Sequence, residues 1–391
     1  MATLFIQRPW AISVIQEVKP TNVWPASGNF AKQGNLDTNS IIKQNFNQSD
    51  STGLLEQFDQ GDGSAFVAIK NGEIIFSTFE EEYTPDTKFN SFSMVKALVG
   101  VLVLKAVSDE KIESLDTTVA ELWPEAKNSK IADVPIRNLM DMTSGIAFEK
   151  NPGEAVEEFN AINSPAQMTW PLNKLENANF LIKSGPFSNF GNLHTNGVEA
   201  VLHEAKLVET DIGKYGYQNF NTALLGRILE EAYQKPLDQI LFEEIVEPAG
   251  ADGFYWRQYT SEERISPYCC LYATVEWWAK VANYLMDNGK PTNKMLNEEL
   301  FSYFMGDDLT EQTLKDGEYR SQIRYDTFDR EGEQLKGTFM YFSGLGGQIV
   351  YIVPQENLVI VRFGKKYQLL HSTVYETSKF ENKSYALDSS D

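Results

Sequence analysis

The stretch Ala65-Phe66-Val67-Ala68-Ile69-Lys70-Asn71-Gly72-Glu73-Ile74-Ile75-Phe76-Ser77 reads as two strands joined by a tight turn. Asn-Gly between apolar runs is a strong hairpin signal, because these residues tolerate the positive φ values that a two-residue connection demands. The far end of the chain answers it. Thr338-Phe339-Met340-Tyr341-Phe342, Gln348-Ile349-Val350-Tyr351-Ile352-Val353 and Leu358-Val359-Ile360-Val361-Arg362-Phe363 read as strands. Pro354-Gln355-Glu356-Asn357 forms a turn between the last two, and residues 367 to 380 look like a closing helix. Between the two ends, Asn90 to about Gly306 is rich in helical periodicity and poor in strand alternation. Ala223 to Tyr233 and Val275 to Met286 are its clearest helix candidates.

These patterns predict an α/β (α+β) fold whose antiparallel sheet is built from both chain ends, flanked by helices, with a large, mainly helical region inserted. The expected division is an N-terminal arm over 1–60, a discontinuous sheet domain over 61–90 and 307–391, and the helical insertion over 91–306. Residues 1–60 carry little periodicity. Trp10, Trp24 and several prolines suggest an arm wrapped over the body.

With 391 residues the chain can bury a large core. Its formal net charge is −21, from 55 Asp and Glu against 34 Lys and Arg, a balance that repels phosphate backbones and anionic headgroups. No nucleic-acid or membrane partner is therefore expected. The three histidines, His194, His203 and His371, are scattered, so no metal cluster and no cofactor is called for. The adjacent Cys269 and Cys270 are expected to be buried thiols, because neighbouring cysteines rarely bridge. The start MATLFIQRPWAISVIQ lacks the basic, apolar and small-residue order of an export signal. The expectation is a soluble, cytoplasmic protein.

The chemistry starts at Ser93-Met94-Val95-Lys96, followed by Ala97-Leu98-Val99-Gly100-Val101-Leu102-Val103-Leu104. A helix of that composition is apolar nearly all round and must be buried. Ser93 would stand at its N-terminus, with Lys96 on the same face one turn on. Burial and the positive field of a helix start would lower the Lys96 pKa and let it take the serine proton. The same pattern, met alone, also describes a serine cap beside a snorkelling lysine.

A second motif lies far downstream, Tyr215-Gly216-Tyr217-Gln218-Asn219-Phe220-Asn221-Thr222-Ala223-Leu224-Leu225-Gly226. Tyr-x-Asn leading into a Leu-Leu-Gly helix resembles the second motif of class C beta-lactamases, D,D-peptidases and related esterases. Arg137-Asn138-Leu139-Met140-Asp141-Met142-Thr143-Ser144-Gly145-Ile146 and Leu271-Tyr272-Ala273-Thr274 resemble two further landmarks of that superfamily. The match runs in order from about Ala65 to about Phe363. The resemblance implies Ser93 as acylated nucleophile, Lys96 as its partner, and Tyr217 as general base and acid. It implies Asn219 as a group orienting Lys96 or a substrate carbonyl, and the N–H of Gln348 as completing the oxyanion hole with that of Ser93. A phenol beside an ammonium can stand in for a histidine, since the charge stabilises its phenolate.

One departure carries meaning. Where the family offers Lys-Thr-Gly or His-x-Gly, this chain has Ser343-Gly344-Leu345-Gly346-Gly347-Gln348. Leu345 cannot pair with a substrate carboxylate, while Gly347 and its neighbours let a backbone approach a ligand. Gly-x-Gly-Gly-Gln looks more like carboxylesterases and 6-aminohexanoate-oligomer hydrolases. Residues 147 to 212 would shape the pocket, with Trp170, Phe180, Phe187 and Phe190 as lining or core. The reading is a cofactor-free serine hydrolase of small ester or amide substrates. The alternatives are a non-catalytic binding or sensor protein of the same fold, or a true beta-lactamase or D,D-peptidase.

Overall fold

The computed structural model describes residues 21–46, 51–149, 156–157, 189–327, 337–366, 371–378 and 385–387. Its centre is an eight-stranded, wholly antiparallel sheet. The order across it is Glu318–Arg320, Ile323–Thr327, Thr338–Gly344, Gln348–Val353, Leu358–Gly364, Gly63–Lys70, Glu73–Phe79 and Tyr385–Ala386. The two ends of the chain meet in the middle of this sheet, where Val361 pairs with Val67 and Ile360 with Ala68. At the Asn71-Gly72 turn both residues have positive φ, 54° and 76°, as the sequence predicts.

The strands read as nearly unbroken apolar runs because both faces of the sheet are covered. Phe66, Ala68, Phe76, Tyr351 and Ile360 point to one side, where Leu54, Phe58 and Val374 of the helices Thr52–Gln60 and His371–Ser378 pack on them. Val67, Ile69, Val350, Ile352, Val359 and Val361 point to the other, into the main core. That core includes the helix Lys96–Ser108, whose residues from Lys96 to Leu104 are all buried. Gly100 is required there, because a Cβ at that position would overlap the carbonyl of Ser321 at the tip of the hairpin formed by Glu318–Arg320 and Ile323–Thr327. Among the described residues, no helix is long and apolar enough to cross a membrane.

Several expectations need correction. The middle of the chain is not poor in strands. Phe30–Gln33, Phe254–Arg257, Leu271–Ala273 and Phe89–Asn90 form a four-stranded sheet, and Ile146–Glu149 is the centre of a three-stranded one. These strands are two to four residues long, too short for period-two alternation to register. Residues 1–60 are not only an arm, since they include the helix Thr52–Gln60 and one strand of the smaller sheet. Cys269 and Cys270 are joined to each other in a disulfide rather than being free thiols. The chain turns there through a left-handed residue, Cys270 at φ 68°, which the sequence argument did not foresee. The predicted helices at 223–233 and 275–286 appear as Asn219–Tyr233 and Val275–Met286, and the closing helix as His371–Ser378.

Candidate active site

Ser93 lies one turn earlier than expected. It sits in a 3-10 turn, Phe92–Val95, that runs directly into the helix starting at Lys96. The i, i+3 relation survives this change of helix type. The Lys96 ammonium nitrogen is 2.9 Å from the Ser93 hydroxyl. It also donates to the main-chain carbonyl of Tyr268 at 2.6 Å. Lys96 is only 1% exposed, and burial holds its pKa well below the ordinary lysine value. No carboxylate is bonded to it among the described residues.

Tyr217 comes to the same place from the other side. Its ring centroid is 5.0 Å from Lys96 Nζ, and its edge-to-face neighbour is Tyr319 at 6.1 Å. The segment carrying Tyr217 is held by the landmark at 137–146. Gly216 N–H donates to the Met142 carbonyl at 2.7 Å and Gly213 N–H to that of Thr143 at 2.9 Å. The Gln218 side chain donates to the Ile146 carbonyl, and the Ser144 hydroxyl bonds the Asn221 carboxamide at 3.0 Å. Asn219 opens the helix Asn219–Tyr233. It is half-buried and, among the described residues, makes no hydrogen bond with Lys96.

The landmark at 271–274 packs against the serine turn itself. Ser91 N–H donates to the Leu271 carbonyl at 2.8 Å, and Leu271 N–H returns a bond to the Ser91 hydroxyl at 3.1 Å. Thr274 then caps the following helix by accepting from Trp277 N–H at 3.1 Å.

The glycine turn closes the remaining side. Gly344, the last residue of its strand, abuts the serine turn so closely that a Cβ would overlap the carbonyl of Ser91 and come within 3.2 Å of Met94 N. Leu345 is half-buried. Gly346 and Gly347 both adopt positive φ, 78° and 80°. The Gln348 side chain is buried and points back into the sheet. It donates to the carbonyls of Leu345 and Gly364, each at 2.8 Å, and accepts from Gly364 N–H at 3.0 Å. Arg362 clamps the turn from below, donating to the Gly347 carbonyl at 2.5 Å and the Gly61 carbonyl at 2.6 Å. Of the proposed pocket aromatics, Trp170, Phe180 and Phe187 lie outside the described residues, as does the side chain of Phe190.

Sequence reading missed Tyr268, whose contribution is a main-chain carbonyl and therefore carries no residue signature. It also missed Asn90 and Ser91, which precede the quoted motif and look like ordinary polar residues beside a strand.

Comparisons with known proteins bear on the family and the fold. The family model described as Beta-lactamase matches residues 52–374. Among solved structures, a Bacillus anthracis protein described provisionally as a 6-aminohexanoate-dimer hydrolase superposes with a TM-score of 0.66 at 20% identity. That alignment covers 90% of this chain and 89% of that one. A D-stereospecific amidohydrolase from a Streptomyces species gives 0.56 at 13% identity, over 85% of this chain and 99% of that one. A family VIII carboxylesterase gives 0.56 at 14% identity, over 86% and 98%. No curated protein matches the chain. At these identities the superpositions establish the fold, and the family match spans most of the sequence, so the chain belongs to the beta-lactamase family.

Proposed function

We propose that the protein is a serine hydrolase that cleaves ester or amide bonds of small molecules through an acyl-enzyme. The observation that carries this reading is the buried amine of Lys96 at 2.9 Å from the Ser93 hydroxyl. A desolvated lysine with its pKa pushed down holds a usable fraction of neutral amine. The Tyr268 carbonyl takes one of its N–H groups, which leaves the lone pair free to turn towards serine.

In the proposed step the Ser93 oxygen bonds to the substrate carbonyl carbon, and the serine proton passes to Lys96. Main-chain amides of Ser93 and Gln348 hold the developing oxyanion. Tyr217, whose ring lies beside the amine, relays the proton to the leaving alcohol or amine as the ester or amide bond breaks. Water then attacks the acyl-enzyme with the same groups acting as base, releasing the acid and restoring Ser93. Leu345 at the position of the family's cation favours substrates without a carboxylate there. This sets the reading apart from penicillin hydrolysis and D,D-peptidase activity.

The test is a fluorophosphonate probe, which forms a phosphorus bond to an activated serine oxygen and expels fluoride. Wild-type protein should label, and Ser93→Ala should not. Equal labelling of both, or of neither, overturns the assignment, and no labelling of either points to a binding protein. Short-chain p-nitrophenyl esters should be cleaved more readily than a chromogenic cephalosporin, and the reverse order would overturn the reading of Leu345.

A further inference from the structure

The residue ahead of Ser93 has unusual backbone. Phe92 has a φ of 46° and is 5% exposed. Left-handed backbone is unfavourable for a bulky side chain and persists only where the surroundings over-determine it. Here both of its polar groups are fixed. Phe92 N–H donates to the Asn90 carboxamide oxygen at 2.9 Å. Its carbonyl accepts from Cys270 N–H at 3.2 Å and from the Ser91 hydroxyl at 3.1 Å.

Asn90 is itself held on every side. It is 1% exposed, and its Nδ2 donates to the Thr21 carbonyl at 3.1 Å and to the Tyr272 hydroxyl at 3.0 Å. The Tyr272 hydroxyl in turn donates to the Thr21 carbonyl at 2.9 Å. Only an oxygen can accept from Phe92, and only a nitrogen can donate to Thr21, so the orientation of the carboxamide is forced. The main chain of Asn90 is pinned as well, its N–H donating to the Asn22 carbonyl at 2.8 Å.

We propose that Asn90 is a positioning residue for the reaction. Its carboxamide, anchored by residues 21–22, holds Phe92 left-handed, and that turn aims the Ser93 hydroxyl at Lys96. The inference rests on the reading of Ser93 as nucleophile. Asn90 bonds Thr21, Asn22, Tyr272 and Phe92 rather than Ser93 or Lys96, and it acts through the backbone of Phe92.

The structure offers a rescue that a merely structural role would not show. Glycine adopts φ near 46° without penalty, so Phe92→Gly removes the need for the Asn90 clamp. Asn90→Leu, similar in shape but without the acceptor, should slow fluorophosphonate labelling of Ser93 by about tenfold or more, since small misplacements of a reacting group are costly. Phe92→Gly alone sets the reference rate of the cycle. The double variant should label close to Phe92→Gly, although both changes cost packing. Rates are to be compared well below each variant's unfolding midpoint, with circular dichroism confirming the fold.

If Asn90→Leu does not fold, Asn90→Asp takes its place in the same cycle. It keeps the acceptor and loses donors, and it should show a smaller loss that glycine at position 92 again removes. The proposal is overturned if folded Asn90→Leu labels like wild type, or if the two losses multiply in the double variant. A wild-type protein that does not label at all would remove the hydrolase reading and this inference with it. Normal wild-type labelling with an insensitive Asn90 removes this inference alone.

Discussion

The eight-stranded sheet and the serine turn are held together in opposite ways. The sheet is held by area. Its strands bury apolar side chains on both faces, and each contributes one part of a redundant whole. The serine turn is held by single, directional bonds, from Phe92 to Asn90, from Cys270 to Phe92, from Leu271 to Ser91, and from Lys96 to Tyr268. Losing one packing contact costs stability and leaves geometry largely intact. Losing one directional bond moves an atom on which the proposed chemistry depends. The fold therefore separates the part that supplies free energy from the part that supplies aim.

This separation can be broken by mutation. The largest effect is expected at Lys96. Lys96→Met should cut the labelling rate of Ser93 by roughly 10²–10⁴-fold, the usual worth of a general base. Thermal unfolding should show a midpoint no lower than wild type, because a desolvated amine has been exchanged for an apolar chain of similar length. In the wild type, the labelling rate should rise with pH, since in the proposed step only neutral Lys96 accepts the proton. It should level off below the pH at which an exposed lysine titrates. A flat profile would place the base elsewhere.

Ile352→Ala tests the other side. Ile352 is fully buried in the sheet, and its truncation should cost about 2–5 kcal/mol in urea unfolding. The labelling rate of the folded protein should stay within about twofold, as expected for a site whose geometry is set elsewhere. A large rate loss there would erase the distinction. Gly344→Ala sits on the boundary, where the sheet touches the turn. Its methyl group would overlap the Ser91 carbonyl. We expect a loss of about 1–3 kcal/mol from overpacking together with slower labelling, so that both readouts move.

The smallest effect is at Asp141, whose carboxylate accepts from Ser321 N–H at 2.8 Å. Burial raises its pKa from 3.8 to about 6. The folded state then binds the proton more tightly than the unfolded one, so this group's stabilisation is present at low pH and is lost as pH rises through about 6. Asp141→Asn should remove that component. Chemical unfolding at pH 4 and pH 7 should show the wild type losing stability relative to the variant, with no change in labelling at either pH.

Two tight turns show what the sequence discloses and what it withholds. Asn71-Gly72 and Ser321-Gln322 both connect adjacent strands through two residues of positive φ. The first lies at the surface and depends on local chemistry, so its residues announce it. The second is buried and depends on distant partners. Gln322 bonds the Thr222 hydroxyl at 2.6 Å and the carbonyls of Leu139 and Met140, while Ser321 N–H finds Asp141. Nothing in Ser-Gln specifies that geometry, because the tertiary structure imposes it. The site divides in the same way. Ser93, Lys96 and Tyr217, the proposed reacting groups, are legible as side chains whose chemistry is distinctive in company. The Tyr268 carbonyl, the left-handed Phe92 and the Cys269–Cys270 bond are not, since a carbonyl, a backbone angle and the pairing of two neighbouring thiols leave no signature in residue type.

The union of Val67 with Val361 also has a consequence for how the molecule is made. The hairpin Gly63–Phe79 leaves the ribosome long before its inner neighbour exists, and the edge that this neighbour will cover must wait unsatisfied while the helical middle is synthesised. Pairings of such wide sequence separation are slow to form, since a very long loop has to close before any contact rewards it. The helices between can gather locally, but the sheet can zip together only after residue 364 has emerged. During that interval the open edge of Gly63–Lys70 is a template on which another chain could pair. Chains stalled before that point would be the ones a chaperone must shield.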